Sequence, residues 1–186
     1  MKSINLNYFI PYKFLNSLFL GLNVGAIFIL YAPLEPSIYS LGGIILALGM
    51  LIVAQLYNTI LTIHWFYKVS IFVELVLLGI IIYFLIFSYN YTSAFIVYLG
   101  YQVTFVFGSY LVRAETLFLE TKEHLKQVDT AKQLGYLLGM AVAYLFYKLL
   151  TFYNISSSQE QVYFLHYLLI NVQSIIIYLV YKSFSK

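Results

Sequence analysis

The sequence predicts an all-α membrane protein with six transmembrane helices in a single domain that covers residues 1–186. Three observations lead to this fold class. The chain is 62% hydrophobic and 9% charged, whereas about 25% of the residues in an ordinary soluble domain are charged. Six apolar runs approach the roughly 20 residues that a membrane-crossing helix needs. Nine of the ten lysines and arginines fall in segments that this topology puts on one side of the membrane.

The predicted spans cover residues of about 14–31, 38–62, 69–87, 93–112, 133–152 and 162–181. The N-terminus lacks the small-residue cleavage pattern of a secretory signal, so we expect the first span to be retained. This span ends at "APLEPS", where Pro33 and Pro36 interrupt a helix and Glu35 favours water. The second ends before "HWFYK", which combines a cation with interfacial aromatic residues. The third and fifth end at the polar stretches "SYNYTS" and "NISSSQEQ".

The gap between the fourth and fifth spans is the most charged part of the chain. Residues 113–132 hold eight of the seventeen charged residues. Their mixture of signs suits a short surface helix, with Glu123 and Lys126 one turn apart. Thr130 followed by Gln133 has the spacing of a capping box, which predicts that the fifth helix begins there.

The distribution of cations predicts the orientation. In a six-span topology the N-terminus, the second and fourth loops and the C-terminus share one side. These segments carry Lys2, Lys13, Lys68, Arg113, Lys122, Lys126, Lys132, Lys182 and Lys186. Only Lys148 falls toward the other side, where its long stem reaches the interface. Both termini are therefore expected on the cytoplasmic or matrix side. The high content of Ile, Phe, Tyr, Asn and Lys suggests an AT-rich genome, which is bacterial or organellar. We therefore expect the chain in a bacterial inner membrane or an organellar inner membrane.

No catalytic pattern is recognisable in the sequence. The absence of cysteine excludes disulfides, thiolate metal sites and cysteine nucleophiles. His64, His124 and His166 lack metal-ligand spacing, and no HExxH, phosphate-binding glycine loop or nucleophile elbow is present. We therefore expect no enzyme activity, no cofactor and no metal. The net charge of +3 in so apolar a chain does not indicate nucleic-acid binding. His166, near the outer end of the sixth span, fits a packing or interfacial role better than that of a proton carrier.

Ionisable residues inside membrane spans are costly and are often functional. Glu74 is the one acid well inside a predicted span. It either reaches the interface or pairs with Lys68 or His64, or it serves in gating or proton relay. Arg113 and Glu115 lie where the fourth span meets the charged loop, and they either anchor a helix end or form a conformational latch.

Polar and small residues within the spans indicate where helices meet other surfaces. Six amides lie at membrane depth: Asn23, Gln55, Asn58, Gln102, Asn171 and Gln173. Each one that faced lipid unpaired would cost about 1–3 kcal/mol, so some are expected to line a water-filled path or an interface with another chain. Gly21 with Gly25, and Gly135 with Gly139, each place two glycines on one helix face, which allows close helix packing.

With this topology, the chain resembles the N-terminal half of a drug-exporter-like transporter of the major facilitator superfamily. "VGAIFILYAPLEPSIYSLGGIILAL" is similar to the passage from the first to the second helix of such proteins. "GSYLVRAETLFLETKEHLKQVDTAKQLGYLLGMAVAYL" is similar to their passage from the fourth helix through an acidic loop into a glycine-rich fifth helix. On this match Glu115 and Glu120 take the positions of two loop acids, and Gly135 and Gly139 those of the fifth-helix glycines. The resemblance implies that the charges of residues 113–132 form the intracellular lock of one transporter half.

The second loop departs from the signature of that family, a Gly-x-x-x-Asp-Arg-x-Gly-Arg-Lys run. In "TILTIHWFYK", Thr59 stands at the first glycine, Ile63 at the aspartate and His64 at the first arginine. Phe66 stands at the second glycine, and of the conserved charges only Lys68 is kept. The charges that the resemblance would provide for holding one state closed are therefore missing.

Two functions are compatible with the sequence. A complete transporter encloses its path between two halves, so the first is a half-sized secondary transporter subunit for a small solute that works with a second copy or a homologous partner half. The second is a noncatalytic structural subunit of a larger membrane complex that retains the fold as a scaffold. In both cases the expected partners are the lipid bilayer and other membrane chains.

Overall fold

The computed structural model describes residues 4–184, which form eight α-helices and no strands. The helices are α1 (Leu6–Leu30), α2 (Pro36–Gln55), α3 (Tyr57–Ile60), α4 (Ile63–Ile86), α5 (Tyr91–Val106), α6 (Gly108–Phe118), α7 (Lys122–Phe152) and α8 (Ser158–Phe184). Six stretches are long and apolar enough to cross a membrane, and α5 with α6 counts as one of them. The prediction of an all-helical chain with six helices able to span a membrane is thus confirmed. Lys2 and Lys186 lie outside the described residues.

Short polar side chains define several helix starts. The side-chain oxygens of four N-cap residues accept a hydrogen bond from a backbone N–H in the first turn of α1, α4, α5 and α7; these residues are Asn5, Thr62, Asn90 and Thr121. Such bonds satisfy donors that the first helical turn leaves without partners. Pro36 occupies the start of α2, where its missing N–H costs nothing.

Successive spans alternate in direction. Gly135 lies against Phe14, and Gly25 lies near Tyr147, so α1 and α7 run parallel. In contrast, α8 runs antiparallel to α1, and the backbone N–H of Asn5 donates to the carbonyl of Ser183 at 2.8 Å. The two ends of the described chain therefore meet at one end of the bundle, which we call the terminal end.

Four helices form the interior, and two lie at its edges. The interior helices are α1, α4, α5 and α8: α1 and α4 both pack on α8, and α5 packs on α4. The edge helices are α7, which packs mainly on α1, and α2, which packs mainly on α5. In their most apolar stretches α1 and α4 bury 44% of their residues, whereas α2 buries 11% and α7 buries 17%. The broad faces of α2 and α7 are thus left uncovered by the chain itself.

Three aromatic rings close the core at the terminal end. Phe9, Phe66 and Phe184 come from α1, α4 and α8, and their ring centroids lie 5.3–6.2 Å apart in edge-to-face pairs. All three side chains are buried. Such pairs add about 0.5–1.5 kcal/mol each beyond the burial of apolar area.

Glycines bring α1 and α7 into backbone contact. A Cβ on Gly139 would lie 3.0 Å from the Cα of Gly21 and closer still to the carbonyl oxygen of Leu18. A Cβ on Gly135 would collide with the carbonyl of Phe14. Gly25 is different, because its nearest neighbour would be the ring of Tyr147 at 3.7 Å, an ordinary contact.

The start of the fifth span differs from the sequence-based prediction. α7 begins at Lys122, with Thr121 as its N-cap, and Thr130 lies within the helix. The predicted start rested on the capping-box spacing of Thr130 and Gln133, but charged turns continue a helix readily where they face water. The Glu123 and Lys126 pair lies in these first turns, with Nζ and Oε2 3.8 Å apart.

Four other boundaries are also corrected. α1 begins at Leu6 rather than near residue 14, because Asn5 caps its first turn. The second span ends at Gln55, and α3 follows as a separate turn, so "HWFYK" belongs to α4 rather than to a loop. Thr62 causes this change by capping α4 at the N–H of Trp65. The fourth span bends near Phe107 and continues helically to Phe118, beyond the predicted end at residue 112.

Candidate functional site

A buried carboxylate lies in the part of the bundle near the terminal end. Glu74 of α4 is 1% exposed. Its Oε1 accepts hydrogen bonds from the hydroxyl of Tyr12 at 3.1 Å and from Nδ2 of Asn16 at 2.9 Å. Its Oε2 accepts from Nε2 of Gln173 at 2.8 Å. We call these residues, together with Ser70, the Glu74 pocket. Glu74 is thus held by α1 and α8.

The alternatives for Glu74 that the sequence suggested included an interfacial position or a pair with Lys68 or His64. The structure does not place the carboxylate in this way, because all its hydrogen-bond partners are neutral side chains. Three donors suit a charged carboxylate, since a bond to an ionised group is stronger than one between neutral groups.

Two acceptor atoms of the Glu74 pocket have no partner. Ser70 lies one turn before Glu74 on α4 and is completely buried, and its Oγ makes no hydrogen bond. Gln173 is also completely buried, and its Oε1 is unpaired. A buried polar atom without a partner costs about 1–3 kcal/mol, so these oxygens call for an explanation.

A second buried group of charges adjoins the pocket. Glu115 of α6 is 4% exposed and accepts from two lysines. Lys13 Nζ of α1 lies 2.6 Å from its Oε2, and Lys132 of α7 pairs with its Oε1. Lys132 also contacts Asp129, at 3.3 Å. We call Lys13, Glu115 and Lys132 the ion triad. It ties α1, α6 and α7 together.

The Glu74 pocket and the ion triad share α1. Tyr12 belongs to the pocket and Lys13 to the triad, and Nζ of Lys13 lies 4.9 Å from the centroid of the Tyr12 ring. Glu115 balances one of the two positive charges of the triad. An ionised Glu74 supplies a second negative charge next to them, so the two groups form one electrostatic unit.

Arg113 and Glu120 do not join this unit. Arg113 is exposed and lines an open groove on α6 with Ser109 and Thr116. It forms no ion pair with any residue of 4–184, and Glu115 turns to the lysines instead. Glu120 is exposed in the turn before α7, with a φ of 58°.

The amides occupy different surroundings. Asn23 is 1% exposed and donates from Nδ2 to the hydroxyl of Tyr101 at 3.0 Å, while its Oδ1 stays unpaired. Gln102 is half-buried, and its Oε1 also lacks a partner. Asn171 is exposed and bonds its own helix through the carbonyl of Tyr167.

The other two amides, Gln55 and Asn58, are exposed around the break between α2 and α3. Neither makes a side-chain hydrogen bond to another residue in the described part of the chain. Within the fold, therefore, Gln173 alone among the six predicted amides belongs to the Glu74 pocket.

The end opposite the terminal end is rich in tyrosine. Tyr31 packs against Tyr98 and Tyr101, with ring centroids 5.4 and 6.4 Å apart. Burial, with smaller contributions from the neighbouring phenols, raises the pKa of Tyr31 far above its usual range, so it stays neutral.

His166 is 3% exposed, its Nδ1 bonds the carbonyl of Val162 at 2.7 Å and its ring packs on Phe84. Its surroundings are those of a packed side chain.

The sequence did not reveal most members of these two groups. Tyr12 and Asn16 were unremarkable polar residues, and Lys13 was counted only as a loop cation just outside the first span. A usable signal was present, because Tyr12, Lys13 and Asn16 fall within one helical turn of an otherwise apolar segment. The buried acids Glu74 and Glu115 are far away in sequence, so only the fold could bring them to that turn.

Residues 4–184 contain no group of three or more His, Asp or Glu side chains that could hold a metal ion. Comparisons of the chain with protein-family models, with curated proteins and with solved structures found no match. The fold and the buried polar unit define the class, an integral membrane bundle of six spans with a charged interior at one end.

Proposed function

We propose that the chain is one half of a secondary transporter for a small solute, and that it works with a second copy or a homologous partner half. The observation that carries this proposal is the uncovered faces of α2 and α7 at the edges of the bundle. Both helices have the length of a full span, yet each is packed on essentially one neighbour. The resemblance to half of a major facilitator superfamily transporter supports the same hypothesis.

Polar groups on these edges support a protein or water contact rather than lipid alone. Gln55 and Asn58 lie exposed where α2 ends. Lys148 lies exposed on α7, with its Nζ 5.7 Å from the ring of Tyr144. Lys148 lies four residues before the end of α7, so its long stem can reach the interface. A second chain placed against these edges would cover such groups or enclose them with water.

The interior of one chain offers little space for a solute. A cavity near Pro33, Phe84 and Asn90 has a volume of about 40 Å³. This volume is enough for water, whereas small-molecule sites measure about 300–1,000 Å³. A transport path would thus lie between chains, along the uncovered faces.

We also place both chain ends in the cytoplasm or the matrix. Within residues 4–184 the cations of the terminal end outnumber those of the opposite half, where Lys148 is the one cation. This asymmetry supports the orientation through the positive-inside rule.

Cross-linking tests the proposal directly, because the natural chain contains no cysteine. Leu41→Cys on α2 and Leu137→Cys on α7 replace side chains that are 55% and 59% exposed. Leu75→Cys on α4 is a matched control, since Leu75 is 51% exposed but lies on an interior helix. Oxidation in native membranes should link chains through residue 41 or 137 and not through residue 75. Equal linking at all three positions would contradict an interface at the edges.

Transport itself requires a separate measurement. The purified assembly, sealed into vesicles, should exchange solutes in response to an imposed gradient, and this exchange should vanish when the α7 edge is blocked by a bulky reagent on Leu137→Cys. Solute exchange that continues after this blockage would contradict the hypothesis that the chain is a transporter half. The absence of exchange from intact paired assemblies would contradict it as well.

The alternative function is a structural subunit of a larger membrane complex. It is favoured by the missing charge signature in the "TILTIHWFYK" segment, since a scaffold needs no gating charges. Mild extraction followed by native mass spectrometry separates the two functions. A pair of six-span chains supports the transporter half, a many-subunit assembly supports the scaffold, and a solitary monomer contradicts both.

A further inference from the structure

We propose that the Glu74 pocket reversibly binds one proton within the membrane-spanning region, and that the hydrogen bond from the side-chain amide of Gln173 to the carboxylate weakens when the proton binds. The proton adds to a carboxylate oxygen of Glu74, and no other covalent bond changes. The charge of the pocket rises from −1 to 0.

The hydrogen bonds now present satisfy the deprotonated form. Tyr12 and Asn16 donate to Oε1 of Glu74, and Nε2 of Gln173 donates to Oε2. A carboxylate is an acceptor only, so three donors complement it. The carboxylate is 1% exposed and has no cation at hydrogen-bond distance, so these bonds are its main stabilisation.

The unpaired atoms of the pocket suit the protonated form. A carboxylic acid has one O–H donor and needs an acceptor. Both unpaired acceptors nearby, Oγ of Ser70 and Oε1 of Gln173, are fully buried. Nε2 of Gln173 also donates to the backbone carbonyl of Glu74 at 2.9 Å, which fixes the orientation of the amide. The hydroxyl oxygen of Tyr12, 3.1 Å from Oε1 of Glu74, can accept the acid proton, and its own proton then turns toward Oγ of Ser70. The bond from Nε2 of Gln173 to Oε2 weakens, because its acceptor is no longer charged.

The charges of the ion triad next to the pocket favour release of the proton from Glu74. Glu115 of α6 accepts from Lys13 of α1 and Lys132 of α7, so one carboxylate faces two ammonium groups. Asp129 contacts only Lys132, and its side chain is 67% exposed, which weakens its effect by solvent screening. Lys13, which is itself paired with Glu115 at 2.6 Å, also attracts an ionised Glu74. Burial favours the protonated state of Glu74, whereas its three hydrogen bonds and Lys13 favour the deprotonated state.

The remaining charged groups lie farther away. On α4 itself Lys68 is six residues from Glu74, or about 9 Å along the axis. On α8 the nearest side chain to Gln173 that can carry a charge near neutral pH is His166, two turns away, and Lys182 lies nine residues beyond Gln173. α5 contains no charged residue. The proton equilibrium of the pocket thus depends mainly on its own hydrogen bonds and on Lys13.

In a transporting assembly this proton is the coupling ion, a consequence that rests on the proposed function. Proton binding itself does not depend on the proposed function, and it can be measured without any transport. Infrared difference spectra of the full chain in lipid vesicles, recorded between about pH 4 and pH 9, detect the C=O band of a protonated carboxyl and the amide band of a glutamine side chain.

The expected result is a carboxyl band that grows as the pH falls and that is absent from Glu74→Gln, together with a change in a glutamine amide band. Exposed acids also titrate at the lower end of this range, so the band of Glu74 is identified by the difference between the natural chain and Glu74→Gln. Glu123→Gln, which alters an exposed acid, should keep the Glu74 band and the amide change. Gln173→Leu should keep the Glu74 band but lose the amide change. The absence of any titrating band that Glu74→Gln removes would overturn the proposal.

Two further measurements keep the result unambiguous. If Glu74→Gln does not fold, the natural chain with isotope-labelled glutamine must show a labelled amide band that titrates with the carboxyl band, and a labelled band indifferent to pH refutes the proposed change at Gln173. A carboxyl band that responds to sodium or potassium at constant pH refutes proton binding in favour of a metal cation.

Discussion

The ion triad gives the sharpest prediction about stability. Glu115→Gln removes the only carboxylate of residues 4–184 that Lys13 contacts, while the Lys13 side chain is 8% exposed and cannot reach water without rearrangement. Removing one partner of a buried pair costs about 3–5 kcal/mol, because it leaves a buried charge uncompensated. Lys132 is 25% exposed and retains Asp129, so most of the loss comes from Lys13. We therefore expect a value near the lower limit, about 3 kcal/mol.

The matched control is Glu123→Gln at the same end of the bundle. It makes the same substitution in a pair whose side chains are 63% and 75% exposed and whose atoms lie 3.8 Å apart. Exposed pairs contribute about 0–1 kcal/mol. For a chain of this size a loss of about 3 kcal/mol lowers Tm by roughly 6–12 °C, which thermal unfolding in mild detergent resolves easily. A Tm for Glu115→Gln within a few degrees of that for Glu123→Gln would refute the buried triad.

A double-mutant cycle locates the loss. Lys13→Met alone leaves Glu115 paired with Lys132, so it should cost less than Glu115→Gln. The double variant Lys13→Met with Glu115→Gln removes the stranded charge and should be more stable than the sum of the two single effects implies, with a coupling of about 0.5–3 kcal/mol. Strict additivity would show that the two side chains do not interact.

Three other predictions concern the packing, a single hydrogen bond and the topology. Gly139→Ala should lower the free energy of unfolding by about 1–3 kcal/mol, since the new methyl group meets backbone atoms of α1 that cannot move aside. Gly25→Ala should be tolerated, because the nearest atom to its new methyl group is 3.7 Å away. Equal effects of the two substitutions on thermal unfolding would contradict the close contact of α1 and α7 at Gly139. Tyr110→Phe should cost about 0.5–1.5 kcal/mol by removing the 2.8 Å bond from its hydroxyl to the carbonyl of Ile60, whereas Tyr144→Phe, on an exposed side chain, should leave Tm unchanged. Reporters fused after Glu35, Lys68, Asn90, Leu125 and Ser157 should alternate between the two sides of the membrane, and an outward-facing Leu125 would reverse the orientation.

The number and approximate position of the spans follow from composition, because a run of about 20 apolar residues has few alternatives to crossing a membrane. Boundaries were less predictable for a physical reason. Hydropathy marks where lipid ends, whereas helices end where hydrogen bonds are capped, and Thr62 and Thr121 place those caps away from the change in polarity.

The candidate site was predictable only in part. Glu74 and Glu115 stand out as acids in or beside apolar runs, which is a property of the sequence alone. Their partners Asn16 and Lys13 could be assigned only once α1 was known to pack between α7 and α8. The faces along which helices associate in lipid are set by small residues and by local fit, and of four candidate glycines Gly25 turned out to make only an ordinary contact.

α7 is joined to the bundle by two contacts of different character, and this difference bears on how the proposed transporter would move. The glycine crossing near Gly139 fixes the separation of α7 from α1 by backbone contact, which does not depend on charge. The ion triad joins the same helices toward the terminal end and does depend on charge. Under the proposed protonation of Glu74, Lys13 would lose the influence of one nearby negative charge, and its attraction to Glu115 would become its main electrostatic contact. A partner chain on the uncovered face of α7 would receive this change through α1, while the backbone contact at the glycine crossing would hold the two helices together.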